Sequence, residues 1–296
     1  MTARVGRALC LATGLLALAA PGAAGERSAD AASFWERPRR GANCQNRHVG
    51  PDYWQAAAGA GLDFIRLLPD AWPAAERDFL LGSADAFTSV NERDLAVLVR
   101  ALDAADKAGV KVVLTMLSLP GARWRQLNGD RDDGRLWREE KYQGQAMAFW
   151  TQLAGKLRGH PALVAYNPLN EPHPERGFGF EEPDEKFDAW RARTKGAPAD
   201  LNRFNRRVVE AIRGADSDTP ILLDGAFYAS PAGLSHLDPV DSSNILYAFH
   251  FYEPWAYTTF RVNGGRYAYP DRMPAREPGR RWSARVLRER ISPVSQ

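Results

Sequence analysis

Short apolar runs alternate along this chain with longer stretches whose apolar positions recur every three or four residues, a strand pattern followed each time by a helix pattern. Six strands are legible. The first is predicted at Arg40–Gln45, with a helix beginning near Pro51. The second is predicted at Leu62–Leu68, entered through Gly59 and Gly61 and stopped by Pro69. A helix over Glu92–Ala108 follows, with Leu95, Leu98, Val99 and Leu102 on one stripe and Gly109 as its stop. Val110–Leu117 reads as the third strand, Gln143–Leu157 as the next helix and Leu163–Leu169 as the fourth strand. Glu175–Asp200 has little periodicity and is expected to be a long charged loop. Leu201, Phe204, Val208 and Ile212 mark another amphipathic helix, before strands five and six at Ile221–Gly225 and Ile245–Tyr252. Ser283–Ile291 is a last short helical stretch.

Repetition of strand and helix in one direction gives an α/β fold with a parallel sheet. A doubly wound sheet and a barrel both satisfy the pattern. No glycine-rich phosphate loop follows the first strand, as a dinucleotide fold would want, and polar residues gather just past the ends of several different strands. The expected architecture is therefore a TIM (β/α)8-type barrel, with about six of its eight βα units present in this chain.

The 296 residues are 45% hydrophobic and 25% charged, an ordinary globular composition. Arg4 and Arg7 followed by the apolar stretch Ala8–Ala20, with small residues at Ala23 and Ala24, read as a signal peptide over residues 1–24. That run is shorter than the roughly 20 residues a spanning helix needs, so a cleaved leader is preferred to an anchor. A linker is expected over residues 25–38 and the barrel domain over residues 39–296. The exported protein would be secreted or periplasmic, monomeric and off the membrane once cleaved. Cys10 would leave with the leader, and Cys44 alone forms neither an intrachain disulfide nor a metal cluster. The net charge of +3 is unevenly placed: from Gly25 to Asp271 there are 30 Lys and Arg against 34 Asp and Glu, and seven arginines fall between Arg272 and Arg290. A slightly acidic body argues against a nucleic-acid partner.

The chemistry concentrates in YNPLNEPHP, Tyr166–Pro174. Pro172 biases Glu171 towards an extended backbone, which suits a carboxylate held at a strand end, beside an asparagine, Asn170, able to hold a substrate hydroxyl. On the sixth strand His250 and Tyr252 are two apart and share a face with Leu246 and Ala248, leaving Ile245, Tyr247, Phe249 and Phe251 to pack under helices. Arg66 stands near the end of the second strand, on the side of Phe64. Taken singly, Arg66 is equally a structural ion pair with a loop acid, His250 a satisfied core histidine and Glu171 an exposed turn residue. Trp72, Trp124, Trp137 and Trp255 follow strand ends, where an indole face could stack on a sugar ring; taken singly, each fits loop packing better than a platform, and Trp255 is the best placed of the four. His160, His173, His236 and His250 show no paired ligand spacing, so neither a metal nor another cofactor is expected.

Together these segments resemble glycoside hydrolase family 5, the cellulase-type (β/α)8 glycosidases. The likeness is carried by RRGANCQN, GLDFIRLLPDAW, VVLTMLSLPG, YNPLNEPHP, PILLDGAFYASP and ILYAFHFYEPW, taken in order. The resemblance implies retaining hydrolysis of a β-linked polysaccharide or oligosaccharide, with Glu171 as general acid/base, Asn170 on the sugar 2-hydroxyl, and Arg66, His250 and Tyr252 lining the subsite where the bond breaks. It also implies a nucleophilic glutamate on a seventh strand. No such segment is expected before Gln296, so the chain is read as truncated at its C-terminus. Glu253, Glu181, Glu182 and Glu185 are poor substitutes, and Leu117, with Ser118 beside it, occupies the place of a strand-three histidine. The alternative is an inactive or saccharide-binding fragment; a metal-dependent barrel hydrolase is weaker still.

Overall fold

The computed structural model describes residues 31–47, 49–273 and 281–295. The leader expected at residues 1–24 lies outside them. Six parallel strands form one sheet whose spatial order is the order of the sequence: β1 (Gly41–Cys44), β2 (Phe64–Leu67), β3 (Lys111–Thr115), β4 (Leu163–Asn167), β5 (Ile221–Asp224) and β6 (Ile245–Ala248). The longer helices are α1 (Pro51–Gly59), α2 (Glu92–Lys107), α3 (Glu140–Leu157), α4 (Glu185–Thr194), α5 (Leu201–Arg213) and α6 (Ala284–Ile291). This is the expected α/β arrangement, and it places every strand's carboxyl end on one rim.

Alternation along the strands separates two apolar layers. Ile65, Leu67, Val112, Leu114, Tyr166, Ile221 and Leu223 face outward into the main core beneath the helices. Phe64, Val113, Val164, Ala165 and Leu222 belong to a smaller inner cluster, the consecutive Val164 and Ala165 both joining it where the pairing of β4 with β3 shifts register. Phe34 and Trp35 close that inner cluster, and Trp35 Nε1 donates to the Val164 carbonyl at 2.9 Å. Residues 31–36, inside the stretch expected as a linker, thus supply part of the sheet's packing.

Helix α2 has the predicted bounds within one residue, because Asn91 caps its first amides and Gly109 takes φ +73° just beyond its end. Two expectations fail. The charged stretch after β4 contains α4, capped by Asp184, whose side chain accepts from the Phe187 amide. Only Phe187 and Trp190 of α4 are buried, too few apolar positions to register as a period. The sixth strand ends at Ala248, so His250 and Tyr252 lie in the segment beyond it, and Tyr247, expected under a helix, is 40% exposed. Among the described residues no helix is long and apolar enough to cross a membrane.

Candidate active site

Arg66 projects from β2, in register with Asn43 of β1 and Val113 of β3. Beyond Asn167, the last residue of β4, the chain is pinned from both sides: the Asn170 amide donates to the Met116 carbonyl at 2.8 Å, and the Glu171 amide donates to Asp224 Oδ2 at 3.0 Å. Glu171 takes φ +50°, a left-handed conformation, rather than the extended one that Pro172 favours. Local preference yields here to the hydrogen bond from β5, whose last residue is Asp224.

The side chains form one network. Arg66 Nη2 donates to Asn167 Oδ1 at 2.5 Å and to Asn170 Oδ1 at 3.0 Å, and lies 3.4 Å from Asp224 Oδ2. Asp224 also accepts from Asn167 Nδ2 at 3.1 Å. His250 lies between two carboxylates, its Nδ1 2.6 Å from Glu171 Oε1 and its Nε2 3.6 Å from Asp224 Oδ2. The Asp224 side chain has no exposed surface, whereas that of Glu171 retains 18%.

Burial sets the electrostatics. It pulls Arg66 down and pushes Asp224 up from their ordinary ranges, in each case outweighing the attraction between the two. Burial, and then the neighbouring Glu171 charge, raises Tyr252. With Asn170 Oδ1 occupied by Arg66, its amide nitrogen is the group left to donate to a ligand.

Of the residues singled out from the sequence, Glu171, Asn170, Arg66 and His250 meet in this network. Tyr252 packs edge-on against His250 at 6.3 Å between ring centres, and Trp255 stands three residues further on, half exposed. Trp72 and Trp137 pack inward, in keeping with the loop-packing reading. Trp72 is buried and donates to the Asn46 carbonyl, and Trp137 is buried against Phe204. Trp124 and the edge of Trp137 line a cleft of about 500 Å³ beside Glu171, as do His173 and Tyr228, whose rings stack at 4.4 Å.

Asp224, Asn167 and Asp70 were not singled out from the sequence. Asp70 is buried and accepts from the Leu117 and Ser118 amides at 3.0 Å each, fastening the end of β3 where the resemblance would place a histidine. Burial pushes its carboxyl up to about 7. The sequence signal for Asp224 was an acid ending an apolar strand, ILLDG. Glu253, Glu181, Glu182 and Glu185 are exposed and take no part in the network. Among the described residues no group of three or more His, Cys, Asp or Glu side chains is arranged to hold a metal ion.

A family model described as cellulase, glycosyl hydrolase family 5, matches residues 40–275. Endoglucanase C of Acetivibrio thermocellus is 27% identical over 225 residues, which cover 76% of this chain and 56% of the relative. The chain therefore spans little more than half the length of that relative. Endoglucanase Cel5A of Pseudomonas stutzeri, solved with cellobiose, superposes with a TM-score of 0.52 at 20% identity, over 72% of this chain and 59% of its own. Cel5A of Thermotoga maritima, solved with mannotriose, gives 0.55 at 18% identity, over 85% and 70%. At those identities the two structures speak for the fold.

Proposed function

The chain belongs to the cellulase family, glycosyl hydrolase family 5, and from that premise we infer that it acts on the O-glycosidic bonds of a β-linked polysaccharide or oligosaccharide, with Glu171 as general acid/base. The observation that carries this reading is the 2.6 Å contact between Glu171 and His250 at the rim of the sheet, with Arg66 and Asn170 alongside. In retaining hydrolysis an acid protonates the leaving oxygen while a second carboxylate about 5 Å away attacks the anomeric carbon; water then resolves the glycosyl-enzyme with the first residue as base. Glu171, partly exposed and facing the cleft, suits the acid/base role. Asn170 has an amide nitrogen for a sugar hydroxyl, and Tyr252, edge-on to His250, and the half-exposed Trp255 offer ring faces to the saccharide. The endoglucanase relatives, and the cellobiose and mannotriose in the solved structures, favour glucan or mannan as substrate.

One observation favours a second reading, saccharide binding without cleavage. The carboxylate bonded into the network beside Glu171 is Asp224, and it is sealed from the cleft. A glycosidase would release sugar from carboxymethyl cellulose, or the aglycone from an aryl β-cellobioside, at a rate that Glu171→Gln lowers at least about a hundredfold. No release above that variant, with cello-oligosaccharide binding intact, would leave the binding reading in place. Export rests on the leader pattern, and cleavage near Ala24 is read from the N-terminus of protein recovered outside the cytoplasm.

A further inference from the structure

We propose that Asp224 is a positioning residue for Glu171: from beneath the cleft it fixes the Glu171 backbone and the His250 ring, and so determines where the Glu171 carboxyl points. What Glu171 does rests on the glycosidase reading; what Asp224 does rests on geometry. Asp224 has no exposed side-chain surface and both of its oxygens are engaged, Oδ1 by Asn167 and Oδ2 by the Glu171 amide and Arg66, with His250 Nε2 beyond at 3.6 Å. A carboxylate so enclosed does not reach a sugar carbon. It acts through the groups it holds, which come from β2, β4, the turn after β4 and the segment after β6.

Two of those holds bear on Glu171. A glutamate at φ +50° needs its neighbours to keep it there, and the amide bond to Asp224 ties that residue to the end of β5. The His250 ring is the second hold. A carboxylate facing Nε2 favours a proton on that nitrogen, as a ligand-orienting carboxylate does for a metal-bound histidine. Nδ1 of the neutral ring is then the acceptor for a protonated Glu171, and in the charged ring it is the donor to an ionised Glu171. Either way one proton lies between Nδ1 and Glu171. Asp224 also pairs with Arg66, at 3.4 Å, so that the guanidinium has a carboxylate partner within the network.

The test uses magnetic resonance on the whole chain and needs no turnover, so failure of the glycosidase reading and failure of this one are separable. In the wild type the Glu171 amide is expected to exchange at least about a hundredfold more slowly than an unstructured amide. A low-field ring proton should also be present and be assigned by its loss in His250→Gln. Asp224→Asn keeps the shape and an oxygen for the Glu171 amide, so amide protection should persist while the ring proton shifts or vanishes. In Asp224→Ala both signatures should be lost. A purely structural acid would lower the melting temperature of these variants and leave both signatures of the folded protein in place, which would overturn the proposal. Fast exchange of the Glu171 amide in the wild type would overturn it too, and that measurement stands even where a variant does not fold.

Discussion

Glu175 lies four residues beyond Glu171 and is nearly sealed, with Oε1 accepting from the Phe227 amide and Oε2 without a hydrogen-bond partner. Burial pushes its carboxyl up to about 7. Between its ordinary value and that one, the unfolded chain gives up the proton and the folded chain keeps it, so the folded state loses stability as pH rises through this window. Glu175→Gln removes that slope. Thermal or urea melts at pH 4.5 and pH 8 should show the variant gaining on the wild type at the higher pH by on the order of 2 kcal/mol, and the pH difference cancels any constant effect of the substitution. An equal offset at both pH values would show that Glu175 is ionised in the folded protein. At this scale Glu171, Asn170, Arg66 and His250 were legible because each sits at a strand end in a short motif. Asp224 was not, since an acid closing an apolar run looks the same whether it caps a turn or faces a site. Which of the four tryptophans reach the cleft was not legible, because a tryptophan after a strand end has the same spacing whether it packs inward or faces out.

The connection from β3 to α3 lines the cleft, and a partly buried ion network ties it to the connection from β2 to α2. Arg123, only 2% exposed, meets Asp78 at 2.8 Å and Asp85 at 3.1 Å, and Arg135 meets Asp85 at 2.6 Å and Asp133 at 2.8 Å. Trp124, which lines the cleft, follows Arg123 directly. Removing one partner of such a pair leaves the other charge buried and uncompensated. Arg123→Met is therefore expected to lower stability by about 3 kcal/mol in urea titrations, and the double variant with Asp78→Asn should recover part of the loss. An additive double variant would mean that the two side chains contribute independently. At the scale of elements, long amphipathic stripes such as that of α2 were readable in full. Helix α4 was not, because its capping acid and two buried aromatics lie in a field of charges. The end of the sixth strand was extended too far, because apolar residues continue to Phe251 while the sheet pairing stops at Ala248.

The whole molecule was the most legible scale: six apolar runs in order became six neighbouring parallel strands, since helices returning over the sheet bring each strand beside the last. What that order could not convey is how the rim is dressed. Tyr252 and Trp255 are each 52% exposed and Phe260 is 75% exposed, all on the segment after β6, where Tyr252 packs against His250. An aromatic rim on a slightly acidic body fits a neutral glycan better than a charged polymer, because stacking on a sugar face is insensitive to salt whereas ion pairing is screened. Cellohexaose titrated into the Glu171→Gln variant, which prevents turnover, should bind with an affinity that Trp255→Ala weakens by about five- to thirtyfold. Raising sodium chloride from about 0.05 to 0.5 M should change that affinity by less than about twofold. Binding that weakens steeply with salt and ignores Trp255 would place recognition on charged groups such as Arg125 and Arg261 of the cleft wall, and would redirect the substrate assignment to an acidic saccharide.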